Sequence, residues 1–194
     1  MPAPAKHRKS IVDAAVTLFR RQGYSGTGLS DIIATSGAPK GSLYHYYPDG
    51  KASIAAESVR EAGQRVADTV RELAGRSESA GDLLIAHARL LAGWMEKSGF
   101  RDGCPITTVL LEMAPDDPGI TEAGRLSYEA RLTAMAEKFA ADGLDAAKAG
   151  RLAVLCTAAL QGALIQSRVE RSGAPILIAA EELAALLPNS NSGG

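Results

Sequence analysis

The residues best equipped for chemistry stand in one short run, Lys40-Gly41-Ser42-Leu43-Tyr44-His45-Tyr46. Lysine and serine donate to phosphate oxygens, while tyrosine and histidine offer apolar edges and single polar atoms suited to base edges and thymine methyls. The other candidates have blander readings. Cys104 and Cys156 are 52 positions apart, and His7, His45 and His87 are scattered, so neither Cys-x-x-Cys nor His-x-x-x-His spacing occurs. Both cysteines read as small apolar core residues. Asp116-Asp117 lies between Pro115 and Pro118, which suits a solvated turn and a helix cap better than paired catalytic carboxylates. Glu181-Glu182 reads as a helix surface. The glycines mark helix ends and turns rather than a phosphate loop. No catalytic residue, metal site or cofactor is expected.

The run must be positioned by helices. Ala 35 and Leu 21 against Val 8 and Ile 10 favour helix over strand, and predict an all-α chain. A first helix over 6–22 repeats apolar groups at Ile11, Ala14, Ala15, Leu18 and Phe19, and Gly23 stops it. Thr27 is expected to cap a short second helix carrying Leu29, Ile32 and Ile33, which ends before Gly37. Pro39 opens a third, and Pro48-Asp49-Gly50 turns the chain into a long fourth helix over about 51–75. Start signals at Ser79, Pro105, Asp117-Pro118, Asp145 and Pro175 predict helices over 80–98, 105–114, 118–141, 145–172 and 175–187. Gly173 is expected to cap the last but one. The tail over 188–194 has nothing to pack and is expected to be disordered.

The second and third helices have the spacing of a helix-turn-helix. Ile32, Ile33 and Leu43 would lock them, leaving Pro39, Lys40, Ser42, Tyr44, His45 and Tyr46 outward. The same spacing suits an ordinary short helix pair with incidentally exposed tyrosines, and spacing alone does not choose. Residues 1–60 carry eight basic against four acidic groups, although the whole chain has a net charge of −1. A polyanion would therefore approach one end.

The stretch Ile11, Leu18-Phe19, Gly23-Tyr24, Thr27, Leu29, Asp31-Ile32, Gly37 and Lys40-Gly41-Ser42-Leu43-Tyr44-His45-Tyr46-Tyr47 through Lys51 resembles the N-terminal domain of TetR-family transcriptional regulators. Tyr47-Pro48-Asp49-Gly50-Lys51, Gly103-Cys104-Pro105, Leu111-Glu112-Met113-Ala114-Pro115 and Ala159-Leu160-Gln161-Gly162-Ala163-Leu164 are similar to the LmrA/YxaF-like branch. The resemblance implies a DNA-binding head at 6–52, with its helix-turn-helix at about 28–47, and an effector-binding and dimerisation domain at 53–187. It implies that Lys40, Gly41, Ser42, Tyr44, His45 and Tyr46 face DNA, and that Thr27 and Lys51 meet phosphates. Pro39 replaces the usual hydroxyl residue, so that side-chain contact is lost.

The resemblance further implies a homodimer joined by the last two helices, and a ligand pocket among the middle ones. Gly162 costs a helix about 1 kcal/mol relative to alanine, which close approach of another backbone would justify. Ala158, Gly162, Ile165, Leu183, Leu186 and Leu187 form the expected seam, although a glycine tolerated by drift is the other reading. The expected pocket is lined by Leu91, Trp94, Leu110, Met113, Tyr128, Leu132, Cys156, Leu160 and Gln161, although apolar stripes of this kind are more often core than ligand site. This set holds no charged residue, so a flat, neutral aromatic ligand fits it best. The expected protein is a cytoplasmic repressor that binds palindromic operator DNA, with no membrane partner, until a small molecule releases it. Competing readings are a DNA-binding structural protein without effector and an enzyme built on Cys104 or Cys156.

Overall fold

Helices start where the chain offers their first amides a partner. The Ser79 hydroxyl accepts from Asp82 N–H at 3.1 Å while the Asp82 carboxylate accepts from Ser79 N–H at 3.0 Å. Asp117 accepts from Ile120 N–H and Asp145 from Lys148 N–H, at 2.9 and 3.0 Å. The computed structural model describes residues 5–187. It contains α1 (Ala5–Gln22), α2 (Leu29–Ser36), α3 (Lys40–Tyr46), α4 (Lys51–Arg76), α5 (Ala80–Lys97), α6 (Pro105–Met113), α7 (Pro118–Ala141), α8 (Ala146–Glu170) and α9 (Ala174–Ala184). The described residues contain no strand. The fold is all-α, with helix-turn-helix-like elements first and a helical bundle after them. The expected tail at 188–194 lies outside the described residues.

Three local expectations are corrected. Thr27 does not cap α2. The helix starts after Gly28, whose N–H donates to the Asp31 carboxylate at 2.9 Å, and the buried Thr27 hydroxyl donates to Gly23 C=O at 2.8 Å. Gly173 does not end α8. Arg171 does so in the left-handed conformation at φ 53°, and Gly173 precedes α9, where a Cβ would press on Ala92. Ile33 is only half-buried, whereas Ile32 and Leu43 are fully enclosed.

Packing divides the chain into two compact units that do not follow chain order. The first runs up to Gln64 and includes Cys104–Tyr128; the second comprises Arg65–Gly103 and residues from Glu129 onward. In the first unit α1 packs against α2, α3 and α6. It buries Ile11, Ala15 and Phe19 at helical spacing, and a full burial like that of Phe19 is worth about 1.5–3 kcal/mol.

The second unit has two apolar clusters. One gathers Val70, Leu83, Leu84, Met135, Phe139, Cys156, Leu183 and Leu187. The other joins α5, α8 and α9 through Ala88, Ala92, Met95, Leu160, Ala163, Ile176 and Ala180. Leu183 and Leu187 therefore belong to their own protomer's core and not to the expected seam, because the last turns of the chain close over α5.

Within the first unit α4 crosses α7 closely. Ser127 Oγ contacts Val59 C=O at 3.0 Å and Ala123 C=O at 2.7 Å, and a Cβ on Gly63 would collide with the Ser127 side chain and backbone. Gly63→Ala is expected to destabilise the protein by about 1–3 kcal/mol. Gly75→Ala, in the same helix but with open space around it, should stabilise by about 0.5–1 kcal/mol. Thermal or denaturant unfolding of the two variants reads the opposite signs.

Candidate nucleic-acid interface

A seven-residue helix cannot hold its own conformation in water, so α3 takes its geometry from what it packs on. Leu43, Ser42 and Tyr47 are its buried side, and Ser42 N–H and Tyr47 N–H donate to Pro39 and Leu43 carbonyls, each at 2.8 Å. Lys40, Gly41, Tyr44 and His45 are exposed and Tyr46 is half-buried. The rings of His45 and Tyr46 meet edge to face at 5.2 Å, and Lys40 Nζ stands 5.9 Å from the Tyr44 ring centre. The exposed surface thus combines one cation with a row of aromatic edges. Tyr47 beneath it is sealed, and burial, followed by the charge of Glu57, pushes its phenol up to about 12.

Two residues of the expected DNA face are not on it. Ser42 is turned into the protein and Thr27 is 1% exposed. Their hydroxyls are too enclosed to meet a phosphate. Lys51 is half-buried, and its ammonium donates to Tyr24 C=O at 3.1 Å and Thr27 C=O at 3.0 Å, 4.1 Å from the Tyr24 ring centre. It holds the α1–α2 turn from the position where the resemblance implies a phosphate contact.

The turn is gripped from its other side by a residue that sequence reasoning did not single out. Glu112, in the last turn of α6, accepts from Tyr24 N–H at 2.7 Å and Ser25 N–H at 2.8 Å. Burial would raise its carboxyl, but the Ser25 and Tyr24 bonds and the Lys51 charge outweigh it and hold the group below its ordinary value. Gly23, at φ 78°, leaves the space that the carboxylate fills. In the sequence it stood only within the Leu111-Glu112-Met113-Ala114-Pro115 motif, as an acid near the end of an apolar helix.

The remaining expected residues differ in exposure and in the unit they belong to. Ala158, Gly162, Ile165 and Leu186 are exposed, and Val154, Val169 and Ile178 join them unanticipated. Of the expected pocket residues, Leu110, Met113 and Tyr128 belong to the first unit and the other six to the second. Cys156 and Leu160 sit in different clusters, and Trp94 is 46% exposed. Burial pushes the Cys156 thiol up to about 11, away from nucleophilic use.

The Glu112 carboxyl is depressed in the folded state, so its stabilisation is present above its unfolded value and is lost as pH falls through the folded one. Glu112→Gln is expected to lower stability near neutrality by about 1 kcal/mol, the worth of a helix cap of the same chemistry. Unfolding curves of variant and wild type should converge as pH drops through the carboxylate range. A difference that persists in acid would contradict the assignment.

Comparison with known proteins agrees with this geometry. Residues 11–57 match the family model described as bacterial regulatory proteins, tetR family. Residues 80–182 match that of the transcriptional regulator LmrA/YxaF-like C-terminal domain. The uncharacterized HTH-type transcriptional regulator Rv0196 of Mycobacterium tuberculosis is 34% identical over 186 residues, covering 93% of either chain. The HTH-type transcriptional regulator LmrA of Bacillus subtilis is 28% identical over 170 residues, covering 88% of this chain and 90% of its own. The fold is similar to reduced Escherichia coli NemR, with TM-score 0.79, 19% identity and coverage of 94% and 97%. It is also similar to a cysteine mutant of the regulator CifR complexed with 26-base-pair operator DNA, with TM-score 0.75, 16% identity and coverage of 93% and 96%.

Proposed function

As a member of the TetR family of transcriptional regulators, in its LmrA/YxaF-like branch, the chain is a DNA-binding regulator, and we propose that it is a cytoplasmic repressor released from its operator by a small, mainly apolar aromatic ligand. The observation that carries the DNA-reading part is the exposed face of α3, Lys40, Tyr44, His45 and Tyr46, presented by a helix whose other side is locked. We assign 6–52 to the head and 53–187 to effector binding and dimerisation. Tyr44, His45 and Tyr46 read base edges. Lys40 and backbone amides near Gly41 neutralise and position phosphates. Release occurs if the ligand binds the non-reading conformation more tightly than the reading one.

Regulators of this family bind operator DNA as homodimers. One short helix reads too few base pairs for specificity, so two heads engage half-sites about 34–36 Å, or a multiple of that, apart. Val154, Ala158, Gly162, Ile165 and Val169 recur along the outside of α8, and open space surrounds Gly162. That stripe, with Ile178 and Leu186, is our choice for the seam. By length and composition α8 is also apolar enough to cross a membrane, and the partner protomer is the cover assigned to its outer face.

An operator selected from random-sequence DNA tests the reading face. Tyr44→Ala and His45→Ala should each lose about 1–3 kcal/mol of discrimination at particular base pairs, while affinity in all variants falls steeply with salt. Wild-type selectivity in both variants would show that α3 does not read the DNA.

The seam is tested separately. Ile165→Glu should shift sedimentation toward monomer and weaken operator binding by at least about tenfold. A stable dimer in that variant would place the interface elsewhere.

A further inference from the structure

Residues 1–60 carry eight basic groups, and the fold commits several of them before DNA arrives. Lys51 is drawn into the α1–α2 turn, where it donates to the Tyr24 and Thr27 carbonyls. Lys9 pairs with Asp13 one turn along α1, at 2.6 Å. Arg20 and Arg21 close the far end of that helix, about 18–20 Å of helical rise from residue 8. Thr27 and Ser42, both expected to face DNA, are enclosed. The exposed face of α3 thus has Lys40 at its start and needs a second cation beyond its end.

Arg8 stands there. In the first turn of α1, it donates through Nε and one terminal nitrogen to Glu57 Oε2 on α4, at 3.3 and 2.9 Å. The pair lies against the residue that follows α3. The Glu57 charge adds to the burial that raises the Tyr47 phenol, and Arg8 opposes it. Tyr47 is next to Tyr46, at the edge of the reading face, with ring centres 6.5 Å apart. Glu57 is the more enclosed partner, its side chain 23% exposed against 58% for Arg8. One edge of the guanidinium is therefore held and the rest is open to solvent. An exposed ion pair adds little stability by itself. An arginine engaged along one edge keeps donors to spare, in a planar fork that suits phosphate.

We propose that Arg8 contacts a DNA phosphate at the C-terminal flank of α3, and that Glu57 is the positioning residue that aims it. This rests on α3 facing DNA, as proposed above, and gives the reading helix a cation at either end. A phosphate carries no sequence information, so the contact sets the register in which Tyr44, His45 and Tyr46 enter the groove. The Glu57 carboxylate orders the guanidinium in advance, which reduces the entropy lost when the contact forms.

Binding of the full chain to the selected operator and to a scrambled duplex, measured over a salt series, tests the contact. Arg8→Met should weaken binding to both duplexes by the same factor, and make the slope of log K against log salt shallower by about 0.9 for each head. Arg8→Lys keeps the charge and should keep most of the slope. Ethylation of single phosphates should reveal one position per half-site, beside base pairs disturbed by His45→Ala, that hinders the wild type but not Arg8→Met. In a Glu57→Gln background the effect of Arg8→Met should fall by about half or more. An unchanged slope and ethylation pattern in Arg8→Met would overturn the contact and leave the pair a tie between α1 and α4. An undiminished effect in the Glu57→Gln background would overturn the positioning role. Loss of the phosphate in Arg8→Met, with wild-type selectivity in Tyr44→Ala and His45→Ala, would uphold the contact and overturn reading by α3.

Discussion

The turn between α1 and α2 is the constraint on which the reading surface depends. It carries a run of backbone donors and acceptors with no sheet or helix to satisfy them, and unsatisfied groups there would let it drift. Glu112 takes the N–H groups of Tyr24 and Ser25, and Lys51 donates to the carbonyls of Tyr24 and Thr27. Within the turn, Thr27 N–H donates to Tyr24 C=O at 3.1 Å and the Gln22 amide to Gly26 C=O at 2.8 Å. A carboxylate on the donor side and an ammonium on the acceptor side also attract each other through the turn.

Both short helices inherit the geometry of that turn. α2 begins at once, with Asp31 folded back on Gly28 N–H, and Gly37 at φ 63° redirects the chain into α3. α3 has seven residues and no side-chain cap, because Pro39 stands in the capping position. Its outward face is therefore fixed by Leu43, Ser42 and Tyr47 beneath it, and the side chains that packing spares remain for DNA. Lys51 belongs to both layers, since the residue that starts α4 also ties down the turn that aims α3.

Signals confined to a few neighbouring residues were legible in the sequence. Ser79, Asp145, and the prolines at 105 and 175 marked helix starts that the fold reproduces. The outward set on α3 was legible except for Ser42, because a seven-residue helix has too little periodicity to divide its flanks reliably. Glu112 was not legible as a clamp, because its partners lie 88 and 87 positions away and a glutamate at a helix end is ordinarily a solvated one. The apolar last turns of the chain gave no ranking among Leu183, Leu186 and Leu187. Only tertiary packing shows two turned inward and Leu186 out.

Amide hydrogen exchange, measured residue by residue in the free protein and in Glu112→Gln, tests the dependence of the reading helix on the turn most directly. If the clamp fixes α3 through the turn, Tyr24 and Ser25 amides should lose protection in the variant, and those of Ser42 and Tyr47 should lose it by a comparable factor. Faster exchange confined to Tyr24 and Ser25, with α3 protected as in the wild type, would contradict it.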